Sequence, residues 1–436
     1  MNNQTDSINL KQYEYENELS KTQLLGRSSL MGMCSLAACS DDNSGEGGGN
    51  GDSEEVIANN GTLKGSVDGS KTVILTKGYN FSLDGEYIVK AGSTLKIGEG
   101  VTISAKSDDA TIDYILVEQG AKIEAVGTAS APIVMTADTK EPGAWGGIHI
   151  CGKAPINIGS TGKSEVGDAA YGGSDPADNS GILKYIRLEY AGYKFTTEKE
   201  CNGFTFYGVG NGTTLEYLEA YKGTDDGFEW FGGTVNAKYL VSVSNSDDSF
   251  DWTEGWSGKG QFFVAYQEDP ATLGYTCDCL IEADNYDKNM DAAPISCPTL
   301  ANLTLIGANN DEGKRGIRLR AGTQAKIYNA LVTGKANNLT TETEQTEKFL
   351  IDGPSVLNYI AIAGDIKASG DGGYSSALFT AEGNHNAINQ TLSFSNIFIG
   401  TQDGGADLSA DSFFEKAAYK GAVKADNEWT KGWTKL

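Results

Sequence analysis

The sequence is poor in histidine, proline, positive charge and long apolar runs. Only 2 histidines and 8 prolines occur in 436 residues, and the 7 cysteines include no CxxC pair and do not cluster with either histidine. That pattern argues against a structural zinc site. Lys and Arg number 34 against 59 Asp and Glu, a formal net charge of −25. Such a surface repels phosphate backbones and anionic bilayers, so nucleic acid is not an expected partner. Few stretches read as long amphipathic helices. A Ser-His-Asp arrangement, a P-loop and a dinucleotide fingerprint are missing, and the scattered Gly-x-Gly pairs read as turns. Glycine is in excess, at 56 residues, nearly double the roughly 7% of an ordinary chain. It has no collagen-like period, and 39% hydrophobic residues suffice for a core. Aliphatic residues come in short bursts separated by Gly, Asn and Asp, the mark of an all-β protein.

The N-terminus reads as an address. Residues 1–23 are polar; Leu24, Leu25 and Arg27 then precede a short apolar run from Leu30 to Ala38. Leu36-Ala37-Ala38-Cys39 has the form of a lipobox, in which Cys39 is lipidated once the preceding segment is removed. The apolar run is too short to span a bilayer. Residues 1–38 are therefore expected to be a lipoprotein signal, and 39–58 a flexible acidic and Gly-rich linker. The expected location is the outer membrane, lipid-anchored, at the cell surface. Loss of Cys34 and lipidation of Cys39 leave five cysteines, an odd number, in a compartment where one or two disulfides can form.

Thr224-Asp-Asp-Gly-Phe-Glu-Trp230 returns as Ser246-Asp-Asp-Ser-Phe-Asp-Trp252, an offset of 22 residues. Two short β-like bursts per period, with no helix between, are what one coil of a parallel β-helix requires. The first burst recurs at Ile148–Ile150, Phe204–Phe206, Ile281–Ala283 and Ile317–Leu319. The second recurs with a leading Asn at Asn302, Asn329, Asn358 and Asn396, which predicts a stacked amide ladder. Residues 59–415 have room for about 11–13 coils at ~4.8 Å each. Residues 416–436, with Trp429 and Trp433, are expected to cover the last coil, since an open β-edge invites association.

The segments Gly92-Ser-Thr-Leu-Lys-Ile97, Trp145-Gly-Gly-Ile148, Asp178-Asn-Ser-Gly-Ile-Leu-Lys-Tyr185, Asp225-Asp-Gly-Phe-Glu-Trp-Phe-Gly-Gly233 and the terminal Gly432-Trp433 resemble a family of secreted or lipid-anchored right-handed parallel β-helix proteins. That family is abundant in Bacteroidota and belongs to the pectate-lyase-like fold group. The resemblance covers about residues 60–436 and implies fold and surface location but no particular reaction. Cys151 and Cys201 stand where aliphatic residues are expected, which points to a disulfide between neighbouring coils.

Strand alternation places Ile148, Phe204, Phe228, Phe250, Ile281 and Ile317 inward. The residues after them, His149, Thr205, Glu229, Asp251, Glu282 and Arg318, form an outward column expected to face solvent. Three carboxylates ~4.8 Å apart demand a compensating cation, a raised pKa or a ligand. A glycoside hydrolase could use Glu229 with Asp251 or Glu282; a polysaccharide lyase could pair a cation with Arg318 as base. The Asp pairs Asp225-Asp226 and Asp247-Asp248 enter that strand on successive coils and form an oxygen-rich calcium candidate, or simply cap turns. His149, Trp256 and Tyr286 are the expected ligand contacts, the last two as exposed aromatics. The leading functional expectation is binding of an extracellular glycan or outer-membrane protein on this acidic face, with calcium as the only cofactor. Polysaccharide cleavage on the same face and a structural or adhesive rod are the alternatives.

Overall fold

A computed structural model describes residues 53–107, 111–194, 200–308 and 314–436. Within them 24 strands join into one continuous hydrogen-bonded sheet, and its pairings are parallel. This is the parallel β-helix that the 22-residue period requires. Each later coil contributes one short strand, such as Phe228–Phe231, and one long strand, such as Asn236–Val243. The long strands bend at a single residue with positive φ. The corner positions are Tyr185, Tyr217, Tyr239, Phe262, Asn302, Asn329 and Tyr359, with φ between 51° and 62°. Register pairing stops at that residue and resumes after it, so one strand supplies two sides of the coil.

The short strands stack in the expected register. The column of outward residues runs Ser66, Ile88, Leu116, His149, Thr205, Glu229, Asp251, Glu282, Arg318, Thr340 and Lys367, the first two at the ends of longer strands. On the inner side Phe204, Phe228 and Phe250 stack at centroid distances of 5.1 and 5.4 Å. Trp230 stacks on Trp256 at 4.5 Å. Coil stacking thus buries large rings that no single coil could cover.

The corner column is where the expected amide ladder changes character. Asn302 and Asn329 share the corner register, but the next corner is Tyr359; Asn358 aligns with Tyr328 instead, and Asn396 lies outside the stacked coils. The pattern Asn-x-apolar is ambiguous by one residue, and one residue exchanges a strand position for a bend. Toward the N-terminus the ladder continues in aromatics: Tyr185, Tyr217, Tyr239 and Phe262 stack at 4.2, 4.3 and 5.0 Å.

The two asparagines do not bond each other. Asn302 Nδ2 donates to Ala417 O and Tyr419 O, and Asn329 Nδ2 donates to Ala406 O and Ala417 O. They hold the C-terminal segment, whose hairpin Gly400–Asp403/Tyr419–Val423 lies along the outside of the long strands. Trp433 sits edge-on to Tyr185 and Tyr217, and Trp429 to Tyr217 and Tyr239. The backbone N–H of Lys435 reaches both carboxylate oxygens of buried Glu219, at 3.1 and 2.8 Å. The expectation that residues 416–436 cover the last coil is therefore corrected. They strap the middle coils, because the apolar strip that the tryptophans fill runs beside the tyrosine corners.

Candidate functional site

The two Asp pairs lie at the turns entering the short strands, in the 22-residue register. In each pair the second Asp serves the backbone. Asp226 Oδ1 accepts the N–H of Asp248 at 2.8 Å, and Asp248 Oδ1 accepts the N–H of Cys279 at 2.5 Å. Ser246 Oγ donates to Thr224 O one coil below. Turn capping thus accounts for part of the Asp-Asp motif. The first Asp of each pair has other company. Oxygen atoms of Glu200, Asp225 and Asp247 lie within 4.8 Å of one another, as do those of Asp226, Glu229 and Asp251 and those of Asp226, Asp247 and Asp248.

These carboxylates form one shelf across three coils. Asn202 Nδ2 donates to Glu229 Oε2 at 2.5 Å. Asp251 Oδ1 is buried and has no hydrogen-bond donor among the described residues. The ion pairs among those residues put no lysine or arginine on Asp225, Asp226, Glu229, Asp247, Asp248 or Asp251. Burial, followed by the neighbouring carboxylates Glu200 and Asp247, pushes Asp225 up to about 9. Burial and then Asp278 push Asp247 up to about 6, against Lys314. Asp226, Glu229, Asp248 and Asp251 all lie well above the ordinary carboxylate range, first through burial and then through a neighbouring carboxylate: Asp248 for Asp226, Asp251 for Glu229, and Glu282 for both Asp248 and Asp251.

Further along the column the same problem is solved with cations. Arg318 bonds Glu282 at 2.6 Å and Glu342 at 3.2 Å, while Arg320 bonds Glu282 and Asp284, both at 2.7 Å. Glu282 is therefore held by two guanidinium groups, and Arg318 is an ion-pair partner rather than a base.

The column does point away from the coil interior, but its lower part does not face solvent. His149 and Thr205 are 0% exposed and Glu229 is 9% exposed. The excursion between Cys151 and Gly181 folds back over them. Ile156, Val166 and Tyr171 from that excursion pack with Leu116, Cys151, Cys201 and Tyr207 in a second apolar cluster. His149 lies between Tyr114 and Tyr207 at 6.1 and 6.2 Å, with Nε2 on Gly146 O at 2.7 Å. Burial lowers its pKa to about 4. It is a packed neutral imidazole, removed from any surface ligand.

Two further expectations are corrected here. Trp256 is fully buried, with its Nε1–H on Val235 O at 3.1 Å, because its ring fills the core beside Trp230. Cys151 and Cys201 are both buried free thiols. Cys151 is in register with Tyr207, not with Cys201, so no neighbouring-coil pairing brings them together as a bridge. Tyr286 is half-buried. Cys39 lies outside the described residues. Sequence reasoning missed Asn202, Glu200 and Arg320. Asn202 was reachable: it occupies the register of Asp226 and Asp248, immediately before the strand.

A family model described as a pectate-lyase-like beta helix domain matches residues 66–434. The chain belongs to that family. No curated protein and no solved structure matches it. The matched span of this pectate-lyase-like β-helix takes in the acidic shelf, the excursion over His149 and nearly all of the C-terminal strap, so these belong to one domain.

Proposed function

We propose that this pectate-lyase-like β-helix is a lipid-anchored surface protein that binds carbohydrate and holds calcium on the acidic shelf. Family membership points to a carbohydrate-related function. The observation that carries the calcium reading is the set of carboxylates from Asp225 to Asp251, buried at Asp225, Asp226, Glu229 and Asp248, that face one another with no lysine or arginine in ion-pair contact among the described residues. Carboxylate oxygens are the donor type that calcium takes in sets of six to eight, and Asp251 Oδ1 is an acceptor still in need of a partner. Asp225, Asp226, Glu229, Asp247 and Asp251 would hold the ion, which supplies positive charge where no described lysine or arginine forms an ion pair with them. The chain's own part is to keep these oxygens buried and close, through the capping bonds of Asp226 and Asp248 and the Asn202 bond to Glu229. Binding is favoured over cleavage because the carboxylates a hydrolase would use are roofed at Glu229 and doubly ion-paired at Glu282. The test is thermal unfolding of the full chain with calcium added or chelated. A rise in Tm with calcium that Asp251→Asn abolishes is expected; identical melts at millimolar calcium and in chelator would sink the calcium reading. Glycan digests assayed for new reducing ends and unsaturated products cover the enzymatic alternative: product that disappears in Glu229→Gln would replace binding with catalysis. Metabolic labelling with radioactive palmitate, lost in Cys39→Ser, is the expected outcome for the anchor.

A further inference from the structure

Beside the acidic shelf two adjoining clefts of about 270 and 500 Å³ share Thr111 and Ile112. That is the size range of small-molecule sites. In the first cleft Trp145 forms a rigid floor, 1% exposed, with its Nε1–H on Glu189 O at 2.8 Å. Tyr193 stands on the wall with 38% exposure. Its backbone is fixed on both sides, donating to Trp145 O at 3.3 Å and accepting from Cys201 N–H at 2.9 Å. Pro142 and Ala144 add apolar surface, and the hydroxyls of Ser107 and Thr139 line the same space.

Among the described residues, the charge of this groove is one-sided. Asp84, Glu86, Asp113 and Glu141 line it, against Lys64 and Lys106. Both lysines bond the same carboxylate, Asp84, at 3.0 and 2.8 Å. Glu86 accepts from the Tyr114 hydroxyl at 2.8 Å, and Asp113 accepts the Gly85 N–H. The groove also adjoins the shelf: a Cβ on Gly143 would lie 2.9 Å from Thr224 Oγ1, and Thr224 precedes Asp225.

We infer that this groove is the carbohydrate subsite and that it takes saccharides without carboxylate groups, with Tyr193 as the stacking platform. The inference rests on the carbohydrate reading above but not on calcium. A fixed, partly exposed ring receives the apolar face of a pyranose, and carboxylate and hydroxyl oxygens accept sugar hydroxyls. A polyuronate would bring a row of negative charge against an acidic wall, which electrostatic complementarity disfavours.

The test is affinity electrophoresis of the full chain through gels containing hydroxyethylcellulose, xylan, galactomannan, starch or polygalacturonate. Retardation by at least one neutral polysaccharide and none by polygalacturonate is expected. Tyr193→Ala should weaken that retardation roughly tenfold or more while keeping a cooperative melt, which shows that the fold persists. Glu141→Lys should admit polygalacturonate. Equal or stronger retardation by polygalacturonate, or wild-type retardation in Tyr193→Ala with a neutral glycan, overturns the inference and leaves the carbohydrate reading standing. No retardation in any gel overturns both.

Discussion

Two stretches of the same outward column carry stacked acid, and they manage it differently. From Asp225 to Asp251 the carboxylates, most of them buried, crowd one another without a lysine or arginine in ion-pair contact among the described residues. From Glu282 to Glu342 each of the bonded carboxylates meets Arg318 or Arg320. The coil backbone is the same in both stretches, so the contrast comes from the outward side chains and from the excursion that roofs one of the two. Charge separated by one coil is tolerable when the next rung is a guanidinium. Where it is another carboxylate under an apolar roof, the carboxyl groups stay protonated or gather a cation. The compensated stretch reads as structure, and the uncompensated stretch reads as a site.

Removing a cation from the compensated stretch should cost the most. Arg318→Met removes two ion pairs, leaving Glu282 with Arg320 alone and Glu342 with Arg315 alone, and urea unfolding should show a loss of about 2–3 kcal/mol, less than for a fully buried pair because each carboxylate keeps one arginine and some solvent. A neutral result would erase the contrast. Calcium at a hundredfold excess over its Kd should stabilise the wild type by about 2.7 kcal/mol and leave Asp251→Asn unmoved. If Asp251→Asn gains as much, the ion is elsewhere.

The pH dependence has a definite sign. Asp225 and Asp247 are raised to about 9 and about 6 from an unfolded value of 3.8. The native state therefore holds protons that the unfolded chain has released. In chelator, stability is greatest below pH 3.8 as far as these groups are concerned, and it falls as pH rises through 6 and 9. Calcium should flatten that decline; melts at a series of pH values check both arms. The smallest expected effect is Glu229→Gln in chelator, a gain of about 1 kcal/mol from relieved repulsion, with the Asn202 bond retained. Glu282→Gln should instead lose stability, and equal signs for the two would end the comparison.

The solenoid was legible because its signals are local and periodic. The 22-residue repeat places Phe250 over Phe228 and Asp251 over Glu229, and alternation assigns inward and outward faces. The position of Asn358 was misread because one residue separates a corner from a strand, and apolar patterning tolerates either. Trp256 was misplaced for another reason: a loop aromatic after a turn carries no face assignment until its neighbour Trp230 is known. The buried state of His149 was hidden because its cover comes from a separate excursion, with no period linking the two.

The sequence by itself determined the parallel coil, the outward register from His149 to Arg318 and the pairing of like charges on successive rungs. These follow from spacings that recur along the chain, and one backbone period turns each of them into a position. Only the tertiary structure decided which rungs lie under a roof, which carboxylates meet an arginine, and that the C-terminal tryptophans strap the middle coils. Those outcomes depend on segments distant in sequence packing onto an outer face, where apolar burial and charge pairing select the partner and no repeat specifies it.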